Sequence, residues 1–162
     1  MRVLALFRAI VYAALFIGVV LVFIPEQILV ATGITRPPEI GPLHGVGLAL
    51  VGLGGALALW CIATFALVGQ GTPAPFDPPR KLVAAGPYRW VRNPMYIGAG
   101  AALTGAALFY QSAALVAFAA GFIVAAHMFV VLFEEPTLER TFGARYADYR
   151  NAVPRWMPRW RS

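Results

Sequence analysis

Between Arg92 and Glu134 the chain runs for 41 residues without an Asp, Glu, Lys or Arg. That run is too long for one membrane span and suits two, since a span takes about 20 apolar residues rising about 1.5 Å each. Tyr110-Gln111-Ser112 is the natural break, which predicts helices over 94–110 and 113–134. Residues 9–25 and 40–76 are also free of these charges. The first, extended back past Arg8, predicts a helix over 3–24, with Arg8 snorkelling to the headgroups. A signal peptide cleaved near Leu29-Val30-Ala31 is the alternative, but the apolar run is long for one. The second predicts a helix over 43–68, ended by Gly71, Pro73 and Pro75. Charged residues make up only 12% of the chain, where a soluble domain carries about a quarter. The expectation is one all-α integral membrane domain, 1–162, with four transmembrane helices and a C-terminal amphipathic interfacial helix.

The basic residues test that count. Four spans put the N-terminus, the 70–93 loop and the 135–162 tail on one side. Arg2 and Arg8, then Arg80, Lys81, Arg89 and Arg92, then Arg140, Arg145, Arg150, Arg155, Arg159 and Arg161 all fall there, and only Arg36 falls opposite. The positive-inside rule makes that side cytoplasmic, so both termini are expected in the cytosol of a multi-pass protein. The net charge of +6 is then explained by anionic lipid headgroups, and nucleic acid need not be invoked. Cys61, the single cysteine, reads as a small core residue.

Between the spans, 25–42 reads as a short external loop carrying Pro25, Pro37, Pro38 and Pro42. Gly45, Gly47, Gly52, Gly54 and Gly55 read as small residues that let the second helix approach a neighbour. Four prolines in 69–79 rule out a helix and suit an extended cytoplasmic segment. Asn93-Pro94 reads as an N-cap followed by a first-turn proline. In the tail, Leu138, Phe142, Tyr146 and Tyr149 recur near helical spacing over 136–150. Trp156 and Trp160, flanked by arginines, suit the interface, and this tail could roof a site there.

The candidate chemistry gathers at the cytoplasmic helix ends. Tyr88, Arg92, Asn93 and Tyr96 open the third helix, and Glu134-Glu135 close the fourth. Carboxylates at a helix end can simply mark the water boundary. His127, two turns before Glu134, instead suggests a polar stripe facing the bundle interior. Gly98-Ala99-Gly100 either packs a neighbouring helix or leaves room for a ligand beside the backbone. A metal site is not expected: His44 belongs to the opposite end of the bundle, and one cysteine does not make a zinc site.

The order Lys81-Leu82-Val83, Gly86-x-Tyr88, Arg92-Asn93-Pro94-x-Tyr96, Glu134-Glu135, Phe142-Gly143-x-x-Tyr146-x-x-Tyr149 and Val153-Pro154 resembles the integral-membrane methyltransferases. These are the isoprenylcysteine carboxyl methyltransferase and phospholipid methyltransferase relatives. The resemblance covers about residues 80–158 and implies S-adenosyl-L-methionine as methyl donor. It implies cofactor contacts from Lys81, Leu82, Val83, Tyr88, Asn93, Pro94, Met95, Tyr96 and Glu134. The phospholipid branch adds Gly98 and Gly100 and pairs Glu135 with Glu134. Arg92 could bind a carboxylate or an anionic headgroup, and Glu135 or His127 could take a proton from an acceptor. Two departures bear on the acceptor. Asn93 stands where many isoprenylcysteine enzymes have His, and Val130 stands where that branch places a substrate-related Arg. Both tilt the acceptor from a prenyl-cysteine carboxylate toward a membrane lipid or other lipophilic small molecule. A small multidrug-type transporter also has four spans, but it would want a carboxylate deep within a span. A non-catalytic membrane scaffold would show no response to the methyl donor.

Overall fold

The computed structural model describes Phe7, Val11 and residues 14–34, 37, 39–69 and 81–158. The described residues are helical with no strand, and they pack as antiparallel rods. Helix α1 spans Phe16–Ala31, α2 spans Pro42–Gly69, α3 spans Pro94–Tyr110, α4 spans Ala113–Phe142 and α5 spans Ala144–Ala152. Two of them, α2 and α4, are long and apolar enough to cross a membrane. A 3₁₀ turn, Gly86–Arg89, precedes α3. The basic residues Arg2, Arg8, Arg36, Arg80, Arg159 and Arg161, and most of the expected proline-rich loop, lie outside the described residues.

The helix starts follow from local chemistry. Pro42 and Pro94 sit in first turns, where the missing N–H costs nothing. The Gly41 amide donates to Nδ1 of His44 at 3.0 Å, which satisfies one otherwise orphaned donor of α2. At the turn between α3 and α4, Ser112 Oγ accepts from the Leu115 amide at 3.3 Å. Asn93 occupies the N-cap position of α3 but does not cap it; its side chain is used elsewhere.

Helices α2 and α3 make the tightest contact. A Cβ on Gly47 would stand 2.6 Å from the Gly105 carbonyl oxygen, and one on Gly98 would stand 2.6 Å from that of Gly54. Each pair touches backbone to backbone, and the members of each helix are seven residues apart, two turns along one face. Gly45, Gly52 and Gly55 meet nothing within 4 Å, so only Gly47 and Gly54 of the expected glycines do this packing. Helix α4 lies on the other side of α3, and α1 leans on α4 through Phe16 and Phe122. At one end Leu29, Ala107 and Leu115 form a core with Ile28, Ile34 and Tyr110. At the other, Cys61, Ile62, Phe65, Val83, Tyr88 and Met95 form a second.

Two expected boundaries are corrected. Pro25 does not begin a loop: it lies near the start of the α-helical part of α1, which continues to Ala31. The preceding Phe16–Phe23 stretch is wound as a π-helix, and that register change accommodates a residue lacking an N–H. The expected single tail helix over 136–150 is two elements. The end of α4 runs through Glu135–Phe142, Gly143 adopts φ +55°, and α5 follows. A left-handed φ suits glycine, and it breaks the helix before Tyr146. Tyr146 is buried under the bundle end, so this part of the tail packs on protein.

Candidate active site at the tail end of the bundle

The ends of α3 and α4 bring Glu134 and Glu135 beside the segment opened by Arg92. The two carboxylates have different partners. Glu135 is buried and accepts from both Nε and Nη2 of Arg155, each at 2.8 Å. It also pairs with Arg92 Nη1 at 2.9 Å. Such bidentate, charge-assisted bonds are among the stronger polar contacts available to a protein. Glu134 pairs with no cation among the described residues; its Oε2 accepts from the Tyr96 hydroxyl at 3.2 Å.

The tail is strapped across this end by bonds no local pattern reveals. The Arg92 amide donates to the Pro154 carbonyl at 2.9 Å, and Asn93 Nδ2 donates to the Arg155 carbonyl at 3.2 Å. Tyr149 donates to the Tyr88 carbonyl at 2.6 Å, and Arg92 Nη1 donates to the Tyr146 hydroxyl at 3.2 Å. Arg92 Nε remains buried without a partner. Burial pushes the Tyr88, Tyr146 and Tyr149 hydroxyls above the usual tyrosine range. All three therefore stay neutral at physiological pH, and Tyr149 keeps the proton it donates. The carboxylate of Glu135 holds the Arg155 guanidinium above its ordinary pKa.

The remaining sequence candidates divide. Tyr88, its ring edge-on to Phe65, joins Val83 and Met95 in the core at this end, and Tyr96 packs against it. Lys81 is exposed, Leu82 is half-buried, and Pro94 is buried in the first turn of α3. Gly98 faces α2 rather than a ligand space, so the packing role explains it. Gly100 faces α4 and lines a cavity of about 250 Å³ with Tyr96, Ile97, Thr104, Ile123 and Trp156. His127 is not joined to Glu134. The π-wound turn Val130–Glu134 lies between them and shifts the helical phase, and His127 Nδ1 instead accepts from Trp156 Nε1 at 3.1 Å. Sequence reasoning missed Arg155 and the inward role of Trp156. Arg155 follows the Val153-Pro154 motif directly, but its partner lies 20 residues away. No group of three or more His, Cys, Asp or Glu residues able to hold a metal occurs among the described residues.

No curated protein and no solved structure matches the chain. A family profile described as phospholipid methyltransferase matches residues 43–145, which runs from the start of α2 through Glu134-Glu135 to the first turn of α5. The chain therefore belongs to the phospholipid methyltransferase family, which implies a methyltransferase acting on a membrane substrate.

Proposed function

We propose that the protein transfers a methyl group from S-adenosylmethionine to a lipophilic acceptor, such as a phospholipid amine, at the cytoplasmic face of a membrane it spans four times. The observation that carries this reading is the unequal Glu134-Glu135 pair. Arg92 and Arg155 saturate Glu135, while among the described residues Glu134 has a tyrosine hydroxyl and no cation, beside the cavity lined by Tyr96. A carboxylate with no cation beside it among the described residues, and with aromatic rings near it, suits a ligand that brings its own positive charge.

The donor's groups fit what is present. Its sulfonium supplies an activated methyl group for in-line displacement. Glu134 would pair with the donor's ammonium or accept from its ribose hydroxyls, with Tyr96 holding the carboxylate in place. The unpartnered Nε–H of Arg92 is a donor for the carboxylate of the same ligand or for an anionic headgroup. Glu135, Arg92 and Arg155 would hold the tail over the site, which aligns the reactants and excludes water. On this reading Glu135 and Arg92 serve first as positioning residues, and Gly98 leaves the cofactor set. Val130 is buried in the bundle, so no cation is offered to an acceptor carboxylate at that position, and the prenyl-cysteine alternative is not favoured. Both glutamates lie at the tail end of α4 rather than midway along a span, which does not favour a transporter.

Calorimetry in detergent tests the assignment. Glu134→Gln should weaken S-adenosylmethionine binding about tenfold or more, as expected for loss of a charge-assisted partner worth about 1.5–3 kcal/mol. Unchanged donor affinity would remove Glu134 from the site.

A further inference from the structure

Trp156 lies beyond the family match, and in the sequence it reads as an interface anchor. The structure turns its indole onto the cavity between α3 and α4 instead. The backbone on either side is fixed by Arg92 to Pro154, Asn93 to Arg155 and the Arg155–Glu135 pair. The indole itself has one hydrogen bond, to His127, whose ring centre lies 6.0 Å away.

The cavity beneath is narrow and apolar. It runs from Tyr96, which bonds Glu134, to Thr104, a distance of about 12 Å along the helix axis. The Thr104 hydroxyl donates to the Gly100 carbonyl at 2.8 Å, so it asks nothing of a ligand. The passage stays open because residue 100 lacks a side chain: a Cβ there would stand 3.3 Å from Ile123 Cγ1. We infer that this groove takes one hydrocarbon chain of the acceptor, and that Trp156, latched to His127, closes over it and sets which chains are accepted. The occupant follows from the walls and from the continuity of the groove with Tyr96 and Glu134. Its identity as the methyl acceptor's chain rests on the function proposed above.

The first test needs no catalysis. The full chain, with Trp60, Trp90 and Trp160 changed to Phe, is placed in nanodiscs of phosphatidylcholine brominated on its acyl chains, leaving Trp156 as the sole indole. Bromolipid should quench Trp156, and Thr104→Phe, which fills the groove, should cut that quenching about twofold or more. Gly100→Ala, a milder narrowing, should cut it in the same direction. Quenching that is absent, or equal in all three proteins, overturns the inference. The second test uses phosphatidylethanolamine as acceptor probe. Trp156→Ala should raise its KM about fivefold or more and alter the preference among chain lengths, while the donor Kd stays within about twofold. Trp156→Phe and His127→Ala should have similar smaller effects that do not add, because both remove one bond. A shifted donor Kd with unchanged acceptor KM overturns the latch. If no variant or parent methylates any lipid, the proposed function fails, and the quenching result alone decides the groove.

Discussion

Glu134 and Glu135 are chemically identical neighbours, and their surroundings separate them. Glu135 has a side-chain exposure of 12%, and its partner Arg92 has 10%. Removing the charge from such a pair leaves a buried cation uncompensated. Glu135→Gln should therefore destabilise the protein by on the order of 3 kcal/mol, read as a lowered thermal midpoint in detergent. Arg155 is 33% exposed, and solvent screens it. Arg155→Ala should cost less, about 1 kcal/mol, most of it from the freed tail. Glu134→Gln should leave the thermal midpoint nearly unchanged and act on donor binding. The doublet was legible in the sequence; the division of labour was not, because it depends on Arg155, which no local pattern connects to α4. The tyrosines add a pH signature. Tyr149 must keep its proton to donate to Tyr88, and burial raises its pKa above the usual value near 10. Above that pH the unfolded chain gives up the proton first, so the folded state holds more protons and stability falls as pH rises. The thermal midpoint should be flat from about pH 7 to 9 and decline above about pH 10, and Tyr149→Phe should make that decline shallower.

At the scale of elements, composition marks helices among the described residues and does not resolve their joints. Pro94–Tyr110 matches the predicted 94–110 because Pro94 at one end and Gln111-Ser112 at the other have no place inside an apolar helix. The end of α1 differs from the sequence expectation because Pro25 normally interrupts a helix, and nothing local announces the π-wound stretch that precedes it. The apolar spacing of the tail continues through Gly143 and predicts one helix, but the positive φ of Gly143 divides it, and Tyr146 beyond the break is buried below the bundle. The glycine-rich face of α2 is legible in the sequence, but which glycines touch α3 depends on rotation about the helix axis. That selection is testable. Gly54→Ala and Gly98→Ala drive a Cβ into the facing backbone, which cannot swing aside as a side chain does. Each should cost about 1–3 kcal/mol. Gly52→Ala meets nothing within 4 Å and should be neutral or stabilising by up to about 1 kcal/mol through helix propensity. Thermal unfolding of the three variants in one detergent gives the comparison, and equal losses at all three positions would contradict the α2–α3 contact.

For the whole molecule, the helix count turns on where the connections lie. In the structure the end of α1, the start of α2 and the α3–α4 turn share one end, while Arg92, Glu134, Glu135 and the tail share the other. Of the thirteen basic residues in the sequence, the seven among the described residues (Lys81, Arg89, Arg92, Arg140, Arg145, Arg150 and Arg155) belong to the segments at that second end. Length and composition alone identify only α2 and α4 as spans, because the described part of α1 and the 17 residues of α3 are short. In the proposed four-span topology those two cross by packing against longer neighbours, and accessibility tests that directly. Cys61 is fully buried, so it should not react with a membrane-impermeant maleimide and the native chain can serve as the background. Ile40, 91% exposed, marks one end, and Lys81 and Met157, both exposed, mark the other. Ile40→Cys should label in intact cells. Lys81→Cys and Met157→Cys should label only after the membrane is opened. Labelling of Lys81→Cys and Met157→Cys from opposite sides would mean that α3 and α4 do not both cross. The strap from Pro154 and Arg155 to Arg92 and Asn93 could not then form in the membrane, and the site built on it would be lost with the four-span topology.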